Sequence, residues 1–189
     1  MHRLLRMIGC YDFCGHYEWT FDWLDKEQGI ELVRDYWEGA ISVDSQRHAR
    51  DLIVPLGFEG MKKYWTHTLE EEAADFVFSS DENRFRADML QCPSKGFLLN
   101  NKLEQYSDYC DHCIGWIGPV MKDAGFVIDH EHNHCGQCWW EFRRTEDPTA
   151  PSAPGELSGD KDVRLRPDWE QKVTDRFLRA VRDTDKEPG

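Results

Sequence analysis

Apolar residues first change their spacing near residue 74, and that change limits the fold more than any other feature of the chain. Before it they recur at steps of three and four, the period of a helix with one buried face. Trp19, Trp23 and Leu24 fall on one such face; Ile30, Val33, Tyr36, Trp37 and Ala40 fall on another, with Gly29 between the two pieces. Asp44 or Ser45 is placed to cap a further helix through Leu52 and Ile53, which Pro55 and Gly57 would stop. Thr68 and Glu71 have capping-box spacing. Residues 1–15 carry no clear period and read as irregular. After residue 74 the period is two. Phe76 and Phe78 alternate with polar neighbours, Asp81-Glu82-Asn83 marks a turn, and Phe85, Ala87 and Met89 alternate again, which predicts a β-hairpin. Pro93 closes its second strand, because proline lacks the N–H that a ladder needs.

Helical spacing returns over residues 94–123, with Leu103, Tyr106, Cys110, Cys113 and Ile117 on one stripe. Pro119 is expected to kink or restart this helix, and Gly125 to end it. Residues 126–129 and 138–144 read as two more strands, with residues 130–137 between them. The expected fold is α+β. A helical N-terminal half (16–73) is followed by a four-stranded antiparallel sheet with helices packed on one face (74–144), in a single domain over residues 1–145. Residues 146–166 are rich in Pro, Ser and Gly and read as a linker. A last amphipathic helix is expected over residues 167–184, where Trp169, Val173, Phe177 and Val181 form one stripe. That face needs cover from the domain or from a second copy, so a homo-oligomer is one expectation.

Hydrophobic residues make up 40% of the chain and aromatic ones 13%, which suits a chain that buries a core rather than a disordered one. The net charge of −13 disfavours nucleic acid and anionic membranes as partners, since both need a basic footprint. No apolar run reaches the length of a membrane span, and the first ten residues lack the apolar centre of a signal peptide. The expected setting is cytoplasmic, with reduced thiols. Seven cysteines is an odd number, so a complete disulfide framework gives way to metal binding, catalysis or packing as their explanation.

Five of those cysteines and four histidines lie between Cys92 and Trp140. Cys110 and Cys113 form one C-x2-C pair, Cys135 and Cys138 a second, with 21 residues between the pairs. Four thiolates at this spacing fit a tetrahedral Zn²⁺ site. The predicted mid-helix position of Cys110 and Cys113 fits buried core thiols equally well. A redox dithiol needs a C-x2-C at a helix N-terminus, which the predicted helix does not give. His130, His132 and His134 alternate, so on a strand they share a face, where three imidazoles suit Zn²⁺ or Fe²⁺; a solvated turn is the other reading. Cys10, Cys14 and His16 lie apart near the N-terminus and read as packed residues or as ligands brought from afar. Cys92 sits at a strand-to-helix junction, where helix N–H groups stabilise a thiolate, and so is a candidate nucleophile.

The order of these motifs resembles the L-2-amino-thiazoline-4-carboxylic acid hydrolase family over about residues 68–144. The likeness lies in Cys92-Pro93 closing a strand, Cys110-Asp111 in the next helical stretch, and Gly136 leading to Cys138 and Glu141-Phe142-Arg143 on the last strand. The resemblance implies a hydrolase that opens a thiazoline ring to N-carbamoyl-L-cysteine. Such chemistry asks for a nucleophile, an acid/base group and a cation for the substrate carboxylate. The implied assignments are Cys92 or Cys138 as nucleophile, Asp111 or His134 as acid/base, and Arg143 or Arg144 on the carboxylate. Strand alternation lets at most one of the two arginines face a pocket. The rival expectations are a metal-dependent enzyme using the Cys/His clusters with Zn or Fe, and a zinc-stapled module that binds a partner protein. In the thiol reading no cofactor is needed and the partner is a small-molecule substrate.

Overall fold

The structure, a computed structural model, describes residues 2–147 apart from 73, 101, 102, 104, 134 and 135, and for residues 2–12 and 100 it describes the backbone alone. Its helical layer comprises α1 (His2–Gln28), α2 (Ile30–Tyr36) with a π-helical continuation (Trp37–Ser45), α3 (Arg47–Leu56) and α4 (Phe58–Glu71). The hairpin β1 (Asp75–Ser80) and β2 (Arg84–Gln91) follows, then α5 (Pro93–Asn100), α6 (Asp111–Ala124), β3 (Phe126–His132) and β4 (Cys138–Arg144). The four strands form one antiparallel sheet in the order β1-β2-β4-β3. The fold is α+β, as the change of period implies. The expected C-terminal helix, and the linker beyond residue 147, lie outside the described residues.

Several local expectations need correction. Helix α1 begins at His2, where an irregular segment was expected, and it buries Cys14, Tyr17 and Phe21. The Trp19–Trp23 stripe faces outward instead, the two rings stacked 6.0 Å apart and the residues 64% and 48% exposed. Gln46, not Asp44 or Ser45, precedes α3, and Pro55 lies inside the last turn of that helix. Thr68 sits within α4 rather than at a helix start. Pro119 lies inside α6, which continues to Ala124 and closes on Gly125 in the left-handed conformation at φ 78°. Strand β3 runs three residues beyond Asp129, to His132.

The largest correction concerns residues 94–123. They form two helices with non-helical residues between them. Tyr106 explains the break. Its N–H donates to the buried Glu18 carboxylate on α1, and its hydroxyl donates to Asp25 at 3.1 Å. Bonds to another helix thus replace the bonds that continuation of α5 would have made. Turn bonds from Tyr109 N–H to the Tyr106 carbonyl (3.1 Å) and from Asp111 N–H to that of Asp108 (2.8 Å) then start α6, with Cys110 at its N-cap.

The helix-facing side of the sheet carries Phe85, Ala87 and Met89 on β2, Cys138, Trp140 and Phe142 on β4, and Ile128, His130 and His132 on β3. Trp65 of α4 stacks on Phe142 at 5.0 Å and on Phe85 at 5.8 Å, joining the layers. The other side carries Trp139, Glu141 and Arg143 of β4, all buried; Arg84 and Arg86 flank Glu141 at 3.5 and 3.7 Å. Strand β4 is therefore covered on both faces. Two helix contacts depend on missing side chains. A Cβ on Gly115 would stand 2.8 Å from the Trp37 Cβ, and one on Gly60 would stand 2.2 Å from the Leu52 carbonyl oxygen. Among the described residues no helix is long and apolar enough to cross a membrane.

Candidate active site

Backbone pairing brings the cysteines together. Cys92 follows the end of β2, and its N–H donates to the Gly136 carbonyl at 2.7 Å, just before β4 begins. In the ladder Cys138 pairs with Met89 on one side and with His132 on the other; Trp140 pairs with Ala87 and with His130. Partners in register share a face, so Cys138 and His132 are cross-strand neighbours on the helix-facing side. The start of α6 meets them from the helical layer. A cavity of about 170 Å³ lies between the layers, and its wall includes Cys92, Cys110, Cys113, Cys138, His130 and His132. Its size is below the ~300–1,000 Å³ of sites for drug-sized ligands, so it suits a small molecule.

The imidazoles have defined roles. His132 Nε2 is 2.7 Å from Asp111 Oδ1, so the carboxylate orients the ring. Asp111 is in the first turn of α6 rather than mid-helix as expected, and that position lets it reach β3. His130 Nδ1 lies 2.8 Å from the Trp139 carbonyl oxygen. A carbonyl only accepts, so Nδ1 carries the proton and Nε2 keeps a lone pair. That Nε2 is buried and has no hydrogen-bond partner among the described residues. The ring stacks on Trp140 at 3.5 Å. Burial pulls His130 down to about 4, against the carbonyl bond, so it is a neutral base at pH 7. His112 repeats the pattern. Its Nδ1 bonds the Tyr109 carbonyl, its Nε2 faces the Cys113 sulfur at 3.7 Å, and burial pulls it to about 4.

The thiols are held protonated. Burial pushes Cys138 up to about 12, although the Trp140 indole N–H donates to its sulfur at 3.3 Å. Burial, with Cys138 nearby, raises Cys92 well above the ordinary thiol value, and the Lys95 backbone N–H at 3.4 Å only partly opposes this. One helix N–H, that of Lys95, does reach the Cys92 sulfur, but desolvation outweighs it. Cys113 is raised by burial as well. A nucleophile here therefore needs a base to take its proton during the reaction.

Of the residues expected from the sequence, Cys92 and Cys138 meet on the cavity wall, with Asp111 behind His132. His134 and Cys135 lie outside the described residues, so the four-thiolate set and the three-imidazole set each lack a described member. Among the described residues no group of three or more His, Cys, Asp and Glu is arranged to hold a metal ion. Neither arginine lines the cavity. Arg143 points to the far side of the sheet and pairs with Asp129. Arg144 is on the near side but lies past the cavity, its guanidinium over the rings of Phe58 and Phe126 at 5.4 and 5.6 Å. Cys14 joins the site from α1, its thiol donating to Ser94 at 3.0 Å, and Ser94 in turn is 2.5 Å from the Tyr109 hydroxyl.

Two wall residues were not legible as functional. Glu72 is one of three consecutive glutamates, and nothing local distinguishes it; burial, with Glu71 adding, pushes it up to about 7. Lys95 is 4% exposed and lines the cavity. Its signal in the sequence was its place three residues after Cys92, in the first turn of a helix.

These shifts predict how stability follows pH. Between about pH 4.5 and 6.5, His112 and His130 bind protons in the unfolded chain but not in the folded one. Glu72 does the reverse. The unfolded state thus binds a net proton more, so stability falls with falling pH, by ~1.4 kcal/mol per unit. Urea unfolding at pH 6.5 and 5.0 should show the lower midpoint at pH 5.0. In a His112→Gln, His130→Gln variant the Glu72 effect remains alone, and the trend should reverse.

Comparison of the chain with protein-family models, with curated proteins and with solved structures finds no match.

Proposed function

We propose that the chain is a small-molecule hydrolase that opens a thiazoline- or amidine-like ring by cysteine chemistry. The observation that carries this reading is the convergence of Cys92, Cys138 and the Asp111–His132 pair at one small cavity. The order of these residues also resembles that of the L-2-amino-thiazoline-4-carboxylic acid hydrolases.

Cys138 is the nucleophile in this reading, because its neighbour in register is the His132 that Asp111 orients. That is the logic of a nucleophile, a base and a group holding the base. An imidazole, His132 or the neutral His130, takes the thiol proton as sulfur adds to the ring carbon between nitrogen and sulfur. The ring carbon–sulfur bond breaks, and the imidazolium protonates the leaving sulfur. Water then adds to the same carbon, the carbon–Cys138 bond breaks, and the carbamoyl product and the free thiol are released. One water is consumed overall.

Incubation with L-2-amino-thiazoline-4-carboxylate, with the new thiol titrated by a disulfide reagent, tests the reading. Turnover is expected, and Asp111→Asn or His132→Gln should lower kcat by roughly 10²–10⁴-fold, the usual range for loss of acid–base help. Absence of turnover on this compound and on related cyclic amidines overturns it.

A further inference from the structure

We infer that Cys110 and Cys113 form a second reactive site, a dithiol that exchanges with small disulfides and closes to a reversible intrachain disulfide, with His112 as the base for the second thiol. The inference goes beyond the hydrolase reading and does not rest on it. A redox dithiol needs a C-x2-C at the start of a helix. The structure puts the pair there, since Cys110 is the N-cap of α6 and Cys113 lies in its first turn. Cys110 has helical backbone angles, φ −67° and ψ −24°, and the Cys113 N–H donates to the Cys110 carbonyl at 3.3 Å. A helical step of three residues sets two Cα atoms about 5 Å apart, within the ~4.4–6.8 Å that a disulfide spans. Both residues line the cavity between the layers, so the pair faces one space. A bridge across this turn asks for no movement of the backbone.

The two thiols differ in their surroundings. His112 Nδ1 faces the Tyr109 carbonyl oxygen, which only accepts, so Nδ1 carries the proton and Nε2 keeps its lone pair. That Nε2 is 3.7 Å from the Cys113 sulfur, and His112 is 8% exposed. A buried imidazole thus aims its lone pair at one thiol of the pair, which is what a thiol that must lose its proton needs. Cys110 sits at the positive end of the α6 dipole, which favours its thiolate. The first-turn N–H groups are engaged by turn carbonyls, so the helix acts on Cys110 through its dipole. Cys110 is therefore the attacking sulfur and Cys113 the resolving one.

The oxidant is a disulfide of low molecular weight, RSSR. Cys110 releases its proton to solvent and its thiolate attacks one sulfur of RSSR. The Cys110–SR bond forms, the RS–SR bond breaks, and RS⁻ leaves and takes a proton from solvent. Cys113 then gives its proton to His112 Nε2 and attacks the Cys110 sulfur. The Cys110–Cys113 bond forms, the Cys110–SR bond breaks, and the second RS⁻ leaves with the proton from His112. Two protein thiols are oxidised and one RSSR is reduced to two RSH. Excess RSH runs the same steps backward.

Glutathione is the probe. The full chain is equilibrated at pH 7.5 with varied ratios of reduced (GSH) to oxidised (GSSG) glutathione, quenched with acid, alkylated and mapped by peptide mass. The expected product is one disulfide joining Cys110 to Cys113. Its oxidised-to-reduced ratio should fall tenfold for each tenfold rise in [GSH]²/[GSSG]. Cys113→Ser should hold glutathione on Cys110 as a mixed disulfide, and Cys110→Ser should take it up at Cys113 at least tenfold more slowly. His112→Gln should slow closure of the disulfide by roughly tenfold or more. Added to Cys113→Ser, it should leave glutathione uptake by Cys110 unchanged, whereas a merely structural loss would alter both steps. Two results on the wild-type protein alone overturn the inference: all cysteines staying reduced in excess GSSG, or a disulfide that joins other cysteines, such as Cys92 to Cys138. Closure at an unchanged rate in His112→Gln also overturns it. None of these outcomes depends on turnover of the thiazoline.

Discussion

Replacing Cys138 with serine is expected to lower kcat/KM on the thiazoline probe by about a thousandfold or more, a loss of ~4 kcal/mol of transition-state stabilisation. Serine keeps the shape of the side chain but not its nucleophilicity, because a hydroxyl gives its proton to the same imidazole far less readily than a thiol does. Cys92→Ser should cost much less, about tenfold, because Cys92 has the Lys95 N–H beside its sulfur and no imidazole paired with it in the ladder. The reverse order of effects would make Cys92 the attacking sulfur while leaving a thiol mechanism in place. Full activity in the double variant would end that mechanism. Circular dichroism should separate either result from loss of fold, since both sulfurs are on the cavity wall.

The largest expected effect on stability comes from Gly60→Ala. Helices α3 and α4 cross at this residue so closely that a Cβ would meet the Leu52 carbonyl oxygen at 2.2 Å and the Ile53 Cα at 2.8 Å. Both are backbone atoms, so no rotamer change relieves the clash and the helices must part. Overpacking of this kind costs ~3 kcal/mol. For a chain of this size that is a fall in Tm of roughly 6–12 °C. Gly15→Ala is the control. Nothing stands within 4 Å of a Cβ there, and α1 gains up to about 1 kcal/mol from alanine. Equal melting of wild-type and Gly60→Ala proteins would mean that the α3–α4 contact is looser than described.

The same contrast between local and long-range causes explains what was legible in the sequence. Strand β4 has its expected bounds because its neighbours limit it locally, with Gly136 before it and a turn after Arg144. Gly125 ended α6 for a local reason too. The hairpin followed from alternation and the Asp81 turn, whose carboxylate accepts from the N–H groups of Asn83 and Arg84 at 2.8 and 2.9 Å. The break at Tyr106 was hidden, because its cause is Glu18 and Asp25, more than eighty residues earlier in the chain. Leu103, Tyr106 and Cys110 kept helical spacing without being in a helix.

That one misreading shaped the candidate site. With Cys110 and Asp111 placed mid-helix, Asp111 had no reason to meet a histidine. Placed at the start of α6, it reaches His132. The cysteines closing β2 and opening β4 were legible as neighbours once the strands paired. The cation was not. The arginines stood out by their charge on a strand next to Cys138, but alternation and strand length take them away from the cavity. Lys95 was set there by a helix start, where a lysine ordinarily faces water.

The most direct test is to quench turnover of L-2-amino-thiazoline-4-carboxylate with acid and map the peptides by mass. The expected result is a peptide carrying Cys138 that is heavier by the full mass of the substrate, since attack opens the ring without losing an atom. Steady turnover with Cys138 unlabelled at every quench time, and undiminished turnover by Cys138→Ser, would contradict the account.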